Sequence, residues 1–200
     1  VANSFITTAS GALTFTNTIT LPTGNLTVDG AGASAFRNLV GSGTLTKQGG
    51  GSMSWQPTSS SNLDLVLNAG VLSTVADGLV DTVGSGGSIA VNGASVFNIA
   101  ESLTLDNALL SRSSGAALTL LTGKALTVQN GSDVTITGGH FQTVPSTISV
   151  TGAGSSFTAS TISGFRGGSA VNITSGGSVS CASFIDLASG GGNATVLVDG

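Results

Sequence analysis

Hydrophobic and polar residues alternate with a period of two along nearly the whole chain, and helical spacing is almost absent. Clear cases are Leu13-Thr14-Phe15, Leu26-Thr27-Val28, Leu103-Thr104-Leu105, Leu126-Thr127-Val128, Val134-Thr135-Ile136 and Val171-Asn172-Ile173. A β-branched polar residue between two aliphatics places the hydroxyl on one face and the apolar groups on the other. Each run is short. Residues that accept positive φ then break it, as in Asp29-Gly30, Asn92-Gly93, Asn130-Gly131, Gly167-Gly168-Ser169 and Gly176-Gly177-Ser178. The pattern predicts an all-β protein of many very short strands joined by tight turns.

A phrase recurs on top of this alternation. Val150-Thr151-Gly152-Ala153-Gly154-Ser155-Ser156-Phe157 echoes Val28-Asp29-Gly30-Ala31-Gly32 with Phe36. It returns as Val91-Asn92-Gly93-Ala94-Ser95-Val96-Phe97 and begins again at Val198-Asp199-Gly200. Sandwiches and barrels share the strand rhythm but rarely repeat phrases. Few charged residues are available to blunt free edges. Both features favour a parallel β-helix, in which each coil pairs with those above and below. Coils of about 20 residues predict nine or ten rungs, and about 45 Å of stack at 4.8 Å per rung. The repeats start at 28, 91, 150 and 198, spaced 63, 59 and 48, which implies multi-rung units with insertions. Residues 74–88 are the least regular and are the candidate to loop out of the stack. No linker divides residues 1–200, which read as a single β-helix segment.

Composition narrows the function classes. Charged residues are 7%, hydrophobic residues 40%, Pro only 3, and mean hydropathy is +0.42. Disorder needs low hydrophobicity, so the chain reads as ordered. Net charge is −4 without a basic cluster, which argues against a phosphate-tracking nucleic-acid surface and a polybasic membrane patch. No apolar run approaches the ~20 residues of a transmembrane helix. One Cys allows no intrachain disulfide. The chain opens at Val1 and ends inside a repeat phrase, so it reads as a segment of a larger protein.

Two stretches carry a family resemblance. Gly41-Ser42-Gly43-Thr44-Leu45-Thr46-Lys47-Gln48-Gly49-Gly50-Gly51-Ser52-Met53-Ser54-Trp55, followed by Leu65-Val66-Leu67-Asn68-Ala69-Gly70-Val71-Leu72, resembles the autotransporter-associated β-strand repeat. Met53 and Trp55 stand where that pattern has an aliphatic pair, and the chain has no Tyr. The stretch from Val150 to Ser155 and on through Val171-Asn172-Ile173-Thr174-Ser175-Gly176-Gly177-Ser178-Val179 is similar to another repeat of large bacterial surface proteins. The resemblance implies a right-handed parallel β-helix from the passenger of a type V secreted protein. Such passengers reach the surface of Gram-negative bacteria, or are secreted, and serve as adhesins, self-association modules or stalks. The translocator barrel would lie elsewhere in the full protein.

Candidate chemistry is sparse. Polysaccharide-cleaving β-helices need clustered carboxylates, or Asp-bound Ca²⁺ with a base. Asp77 and Asp81 are the only close acidic pair; Asp29, Asp133 and Asp199 read as turn residues. His140 is the only His, and no G-x-S-x-G elbow presents a nucleophile. One His and one Cys do not make a structural zinc site. Cys181 shares parity with Val179 and is expected to point inward; Met53 and Trp55 are expected in the core rather than as a sugar-stacking platform. Arg37, Arg112, Arg166, Lys47 and Lys124 read as scattered, solvated charges. The pairs Thr14/Thr16, Thr18/Thr20, Thr44/Thr46 and Thr135/Thr137 are too irregularly spaced for one continuous threonine face. The expectation is therefore a non-enzyme with no catalytic, cofactor-binding or metal residues and no cofactor. Its partners would be host or neighbouring-cell surface glycans or proteins, or copies of itself, with no nucleic acid. An end-to-end fibre module and a polysaccharide-cleaving enzyme are the alternatives.

Overall fold

The computed structural model describes residues 3–57, 62–138, 141–183, 185–189 and 191–200. These form strands and turns with no helix. The first three turns of chain use two strands each: β1 (Asn3–Thr8) and β2 (Ala12–Leu21), β3 (Asn25–Gly30) and β4 (Ala33–Gly41), β5 (Thr44–Lys47) and β6 (Ser52–Trp55). From the fourth turn on there are three. These are β7 (Asp64–Leu67), β8 (Val71–Thr74) and β9 (Asp81–Val83); then β10 (Ser88–Val91), β11 (Val96–Ile99) and β12 (Leu103–Asp106); then β13 (Leu109–Arg112), β14 (Ala117–Leu120) and β15 (Ala125–Gln129). The last nine are β16 (Asp133–Ile136), β17 (Phe141–Thr143) and β18 (Thr147–Thr151); β19 (Ser156–Ala159), β20 (Ile162–Arg166) and β21 (Ala170–Thr174); β22 (Ser178–Cys181), β23 (Ile185–Ser189) and β24 (Thr195–Asp199).

Every strand pairs in parallel with its counterpart one turn away, so the protein is a parallel β-solenoid. The first sheet runs β1-β3-β5-β7-β10-β13-β16-β19-β22, the second β2-β4-β6-β8-β11-β14 and the third β9-β12-β15-β18-β21-β24. A smaller sheet, β17-β20-β23, serves the last three turns. The nine strands of the first sheet agree with the nine or ten rungs expected from coil length. Eight steps of about 4.8 Å make the stack about 38 Å tall.

The alternation seen in the sequence becomes columns. On the first sheet, Leu26, Leu45, Leu65, Ile89, Leu110, Val134 and Phe157 stack in register, all buried. On the second sheet Phe15, Phe36, Trp55 and Thr74 share a column, and the Phe15 and Phe36 rings stack with centroids 5.2 Å apart. On the third sheet Val83, Leu105, Val128, Val150 and Ile173 share another. These columns merge into one core. Its driving force is the removal of aliphatic and aromatic surface from water, about 25 cal/mol per Å².

The recurring phrase serves two different corners. Val28 and Val91 lie towards the ends of strands of the first sheet, whereas Val150 and Val198 lie towards the ends of strands of the third. The uneven spacing follows, because the phrase marks a way of turning a corner rather than one position in the coil. Within residues 74–88, Asp81–Val83 are a strand of the third sheet, and residues 76–80 form an exposed turn beside it.

Two charges expected in solvent are buried instead. Lys47 and Arg112 stand in the inward column Val28–Lys47–Leu67–Val91–Arg112–Ile136, at 1% and 6% exposure. Their stems fill column positions, and their heads turn to the corner to donate to main-chain carbonyls. Lys47 Nζ donates to Gln48 O at 2.5 Å and Gly49 O at 2.9 Å, and Arg112 donates to Gly138 O. Desolvation lowers the Lys47 ammonium below its ordinary value, with Asp29 opposing the shift. Lys124 is also partnered, at 2.6 Å from Glu101. Arg37 and Arg166 are exposed, as expected.

Candidate functional surfaces

The outward positions carry most of the polar groups, and the parallel register arranges them in ladders. On the third sheet Thr82, Thr104, Thr127, Ser149 and Asn172 lie one above another over five consecutive turns. Beside them run Asp106, Gln129, Thr151, Thr174 and Asp199. Neighbouring rungs are linked: Asn172 Nδ2 donates to Ser149 Oγ at 3.4 Å, and Thr174 Oγ1 donates to Thr151 Oγ1 at 2.9 Å. On the first sheet Ser88 Oγ donates to Asp64 Oδ1 and Ser156 Oγ to Asp133 Oδ1, both at 2.6 Å. Such bonds use part of each group's capacity. A hydroxyl or amide keeps further donor and acceptor sites for a ligand.

The sequence held this ladder only implicitly. Its threonines and their replacements are about one coil apart, whereas the Thr-x-Thr pairs drew attention to residues two apart. Those pairs are spread over different faces: Thr14 on the second sheet, Thr44, Thr46 and Thr135 on the first. Aligning successive turns on their apolar columns was the signal that would have exposed the ladder.

A second cluster lies where the third sheet begins. Asp81 occupies the base of the inward column Asp81–Leu103–Leu126–Ile148–Val171 and is only 1% exposed. Thr74, also in a core column, hydrogen-bonds to its carboxylate, while Asp81 Oδ2 is buried without a partner. Thr74 Oγ1 in turn accepts from the amides of Ala100 and Glu101, each at 2.9 Å. Glu101 Oε2 accepts from Gly78 N at 2.9 Å; Oε1 accepts from Ser102 N at 3.1 Å and Lys124 Nζ at 2.6 Å. Asp77 accepts from Gln56 Nε2 at 2.5 Å and from Leu79 N at 3.0 Å. Desolvation, with the charges of Asp77 and Glu101 adding, raises the Asp81 carboxyl to about 7. Lys124 and the main-chain donors hold Glu101 below its ordinary value.

Asp77 and Asp81 thus differ in kind: one is exposed on a turn and the other is sealed in the core. A glycan-cleaving pair needs two carboxyls flanking an accessible bond. Among the described residues, no three His, Cys, Asp or Glu side chains come together as metal ligands would. Shallow grooves lie among the described residues. One, of about 260 Å³, lies against Ala33, Ala35, Ser52 and Ser54; another, of about 290 Å³, against Ser85, Asn107 and Leu109. Neither has an acid, base or imidazole in its lining.

Met53 and Trp55 are fully buried, so neither offers a platform to sugars. Cys181 lies in register with Ala159, partly exposed, packed against the core and outside any disulfide. Asp29 Oδ1 accepts from Gly30 N at 2.6 Å within its turn. Asp133 is on the outer face of β16, and Asp199 is exposed at the end of β24. His140 lies outside the described residues. Among the described residues, no helix is long and apolar enough to cross a membrane. Compared with known protein families, with curated proteins and with solved structures, the chain matches none.

Proposed function

We propose that this chain is a non-enzymatic β-solenoid of a bacterial cell surface, a passenger segment of the autotransporter type, acting as an adhesin or self-association module. The observation that carries the reading is the third-sheet ladder of Thr82, Thr104, Thr127, Ser149 and Asn172. A rigid stack repeats one weak polar contact at a fixed spacing of about 4.8 Å. Contacts that are individually weak then add, because each one made raises the local concentration for the next. Neutral hydroxyls and amides suit glycans or a second copy of the same ladder. The burial of Asp81, which leaves Asp77 without an accessible carboxyl partner, supports a binding role over cleavage.

The test uses beads densely coated with the full chain. They are expected to clump with one another or to adhere to glycan-coated surfaces. Replacing Thr104, Thr127 and Ser149 together by Glu puts three like charges in one column and is expected to reduce that binding at least about tenfold. The side chains point outward but the three carboxylates repel one another, so the melting temperature should fall, and binding is compared at a temperature where the variant is folded. Unchanged clumping and adhesion in the folded variant would refute the ladder as the contact surface. Release of new reducing or unsaturated ends from polysaccharides, lost in Asp77→Asn, would replace the reading with an enzyme.

A further inference from the structure

The polar inset at the base of the third sheet has a geometry that the surface ladders do not explain. Core columns elsewhere in these turns are filled by apolar side chains, yet Thr74 and Asp81 take two column positions around one corner. The strand that carries Asp81 is short and lies at one end of its sheet. β9 has three residues, with β12 as its partner. The turn before it, residues 76–80, is exposed, with Leu79 and Val80 more than half accessible. That turn is tied down by Glu101 Oε2 on Gly78 N and by Asp77 on Leu79 N and Gln56. Segments with few buried contacts at a sheet edge open at lower free energy than the rest of a fold.

We propose that Thr74, Asp81 and Glu101 form a proton-dependent latch: with Asp81 protonated, β9 and the turn before it stay docked on the solenoid, and with Asp81 ionised they release. Ionised, Asp81 adds a buried negative charge with one unpartnered oxygen. The charged groups facing it are Asp77 from the turn and Glu101 from the corner preceding β12, both of the same sign. Lys124, the cation at the cluster among the described residues, stands in the corner preceding β15 and is engaged by Glu101. Opening lets the Asp81 carboxylate reach water and removes it from two like charges.

The sign of the pH effect follows from where the proton is held more tightly. The docked carboxyl titrates at about 7 and the released one near its ordinary 3.8. The docked state therefore binds more protons between those values, and docking weakens as pH rises through that window, then levels off above about 7. Glu101, held below its ordinary value, stays ionised in the upper part of the window. Between pH 5 and 7 the opening constant should rise a little less than tenfold per pH unit, or about fiftyfold in all.

Hydrogen exchange on the whole chain tests this, reading protection factors of the amides of residues 78–83 against those of the first sheet from pH 5 to 9. The expected result is an about fiftyfold loss of protection in 78–83 from pH 5 to 7, a plateau above, and no comparable change in the first sheet. Asp81→Asn should abolish the dependence. Asp77→Asn, a change on the exposed turn, removes one of the repelling charges and should move the plateau to lower pH. Protection independent of pH in the parent chain, or the same fall in Asp81→Asn, would overturn the latch. If Asp81→Asn does not fold, an unshifted profile in Asp77→Asn overturns it instead.

Discussion

Trp55→Ala is expected to destabilise the solenoid by about 3–5 kcal/mol, the usual cost of truncating a buried large aromatic. Trp55 is fully buried, in register with Phe36 below and Thr74 above. A turn of solenoid touches mainly its two neighbours, so the hole cannot be filled by distant side chains moving in. The column above it is already polar at Thr74, and collapse there would bring the inset around Asp81 into the gap. Trp55→Phe should cost far less, because it keeps an aromatic in line with Phe36. It also removes an indole N–H that has no partner among the described residues. Urea unfolding of the three proteins gives the comparison. Equal costs for alanine and phenylalanine would show that the column does not hold this part of the stack.

The second large effect is expected from one methyl group at a corner. Gly51→Ala would set a Cβ 2.1 Å from Gly32 O and 2.9 Å from Gly30 O, all main chain of the turn below. Neither Gly50 nor Gly51 lies in the left-handed region, so the cost is steric and not conformational. Gly30 O, already engaged by the next coil, is held in place. Gly30 O accepts from Gly51 N at 2.9 Å, and Gly51 O accepts from Val71 N at 3.2 Å. A penalty of about 3 kcal/mol is expected, at the upper end for overpacking. Gly50→Ala is the control, since its Cβ would meet nothing within 4 Å. It should stay within about 0.5 kcal/mol of the parent. Similar losses at both positions would contradict the close stacking of these corners.

The two glycines show where the sequence was legible and where it was not. Alternation by two assigned faces well: Met53 and Trp55 were expected inside, and they are. It does so because the pleat fixes the face of each side chain locally. What a residue touches is set by the length of the coil, and coils vary: Asn25 pairs with Thr44, whereas Asp64 pairs with Ser88 across a longer coil. Gly50 and Gly51 are therefore indistinguishable in sequence, and only the turn below separates them. Lys47 and Arg112 were misplaced for a related reason. A charge usually marks solvent, yet each sits at an inward parity, where the long stem packs and the head finds corner carbonyls. The third-sheet ladder and the Thr74–Asp81 inset needed register too, since their members lie in different coils or on different strands of one coil.

Register is thus the claim on which the ladder, the latch and both substitutions rest. A distance along one column measures it. Thr46 and Ser180 stand in the same outward column of the first sheet, joined step by step through Val66, Ala90, Ser111, Thr135 and Thr158. Six steps of about 4.8 Å predict a separation of about 29 Å. Spin labels on cysteines placed at these two positions, with Cys181→Ser removing the native thiol, should give one narrow distance near that value. A separation little more than half as long, or a broad distribution without a peak at the expected distance, would contradict the stack.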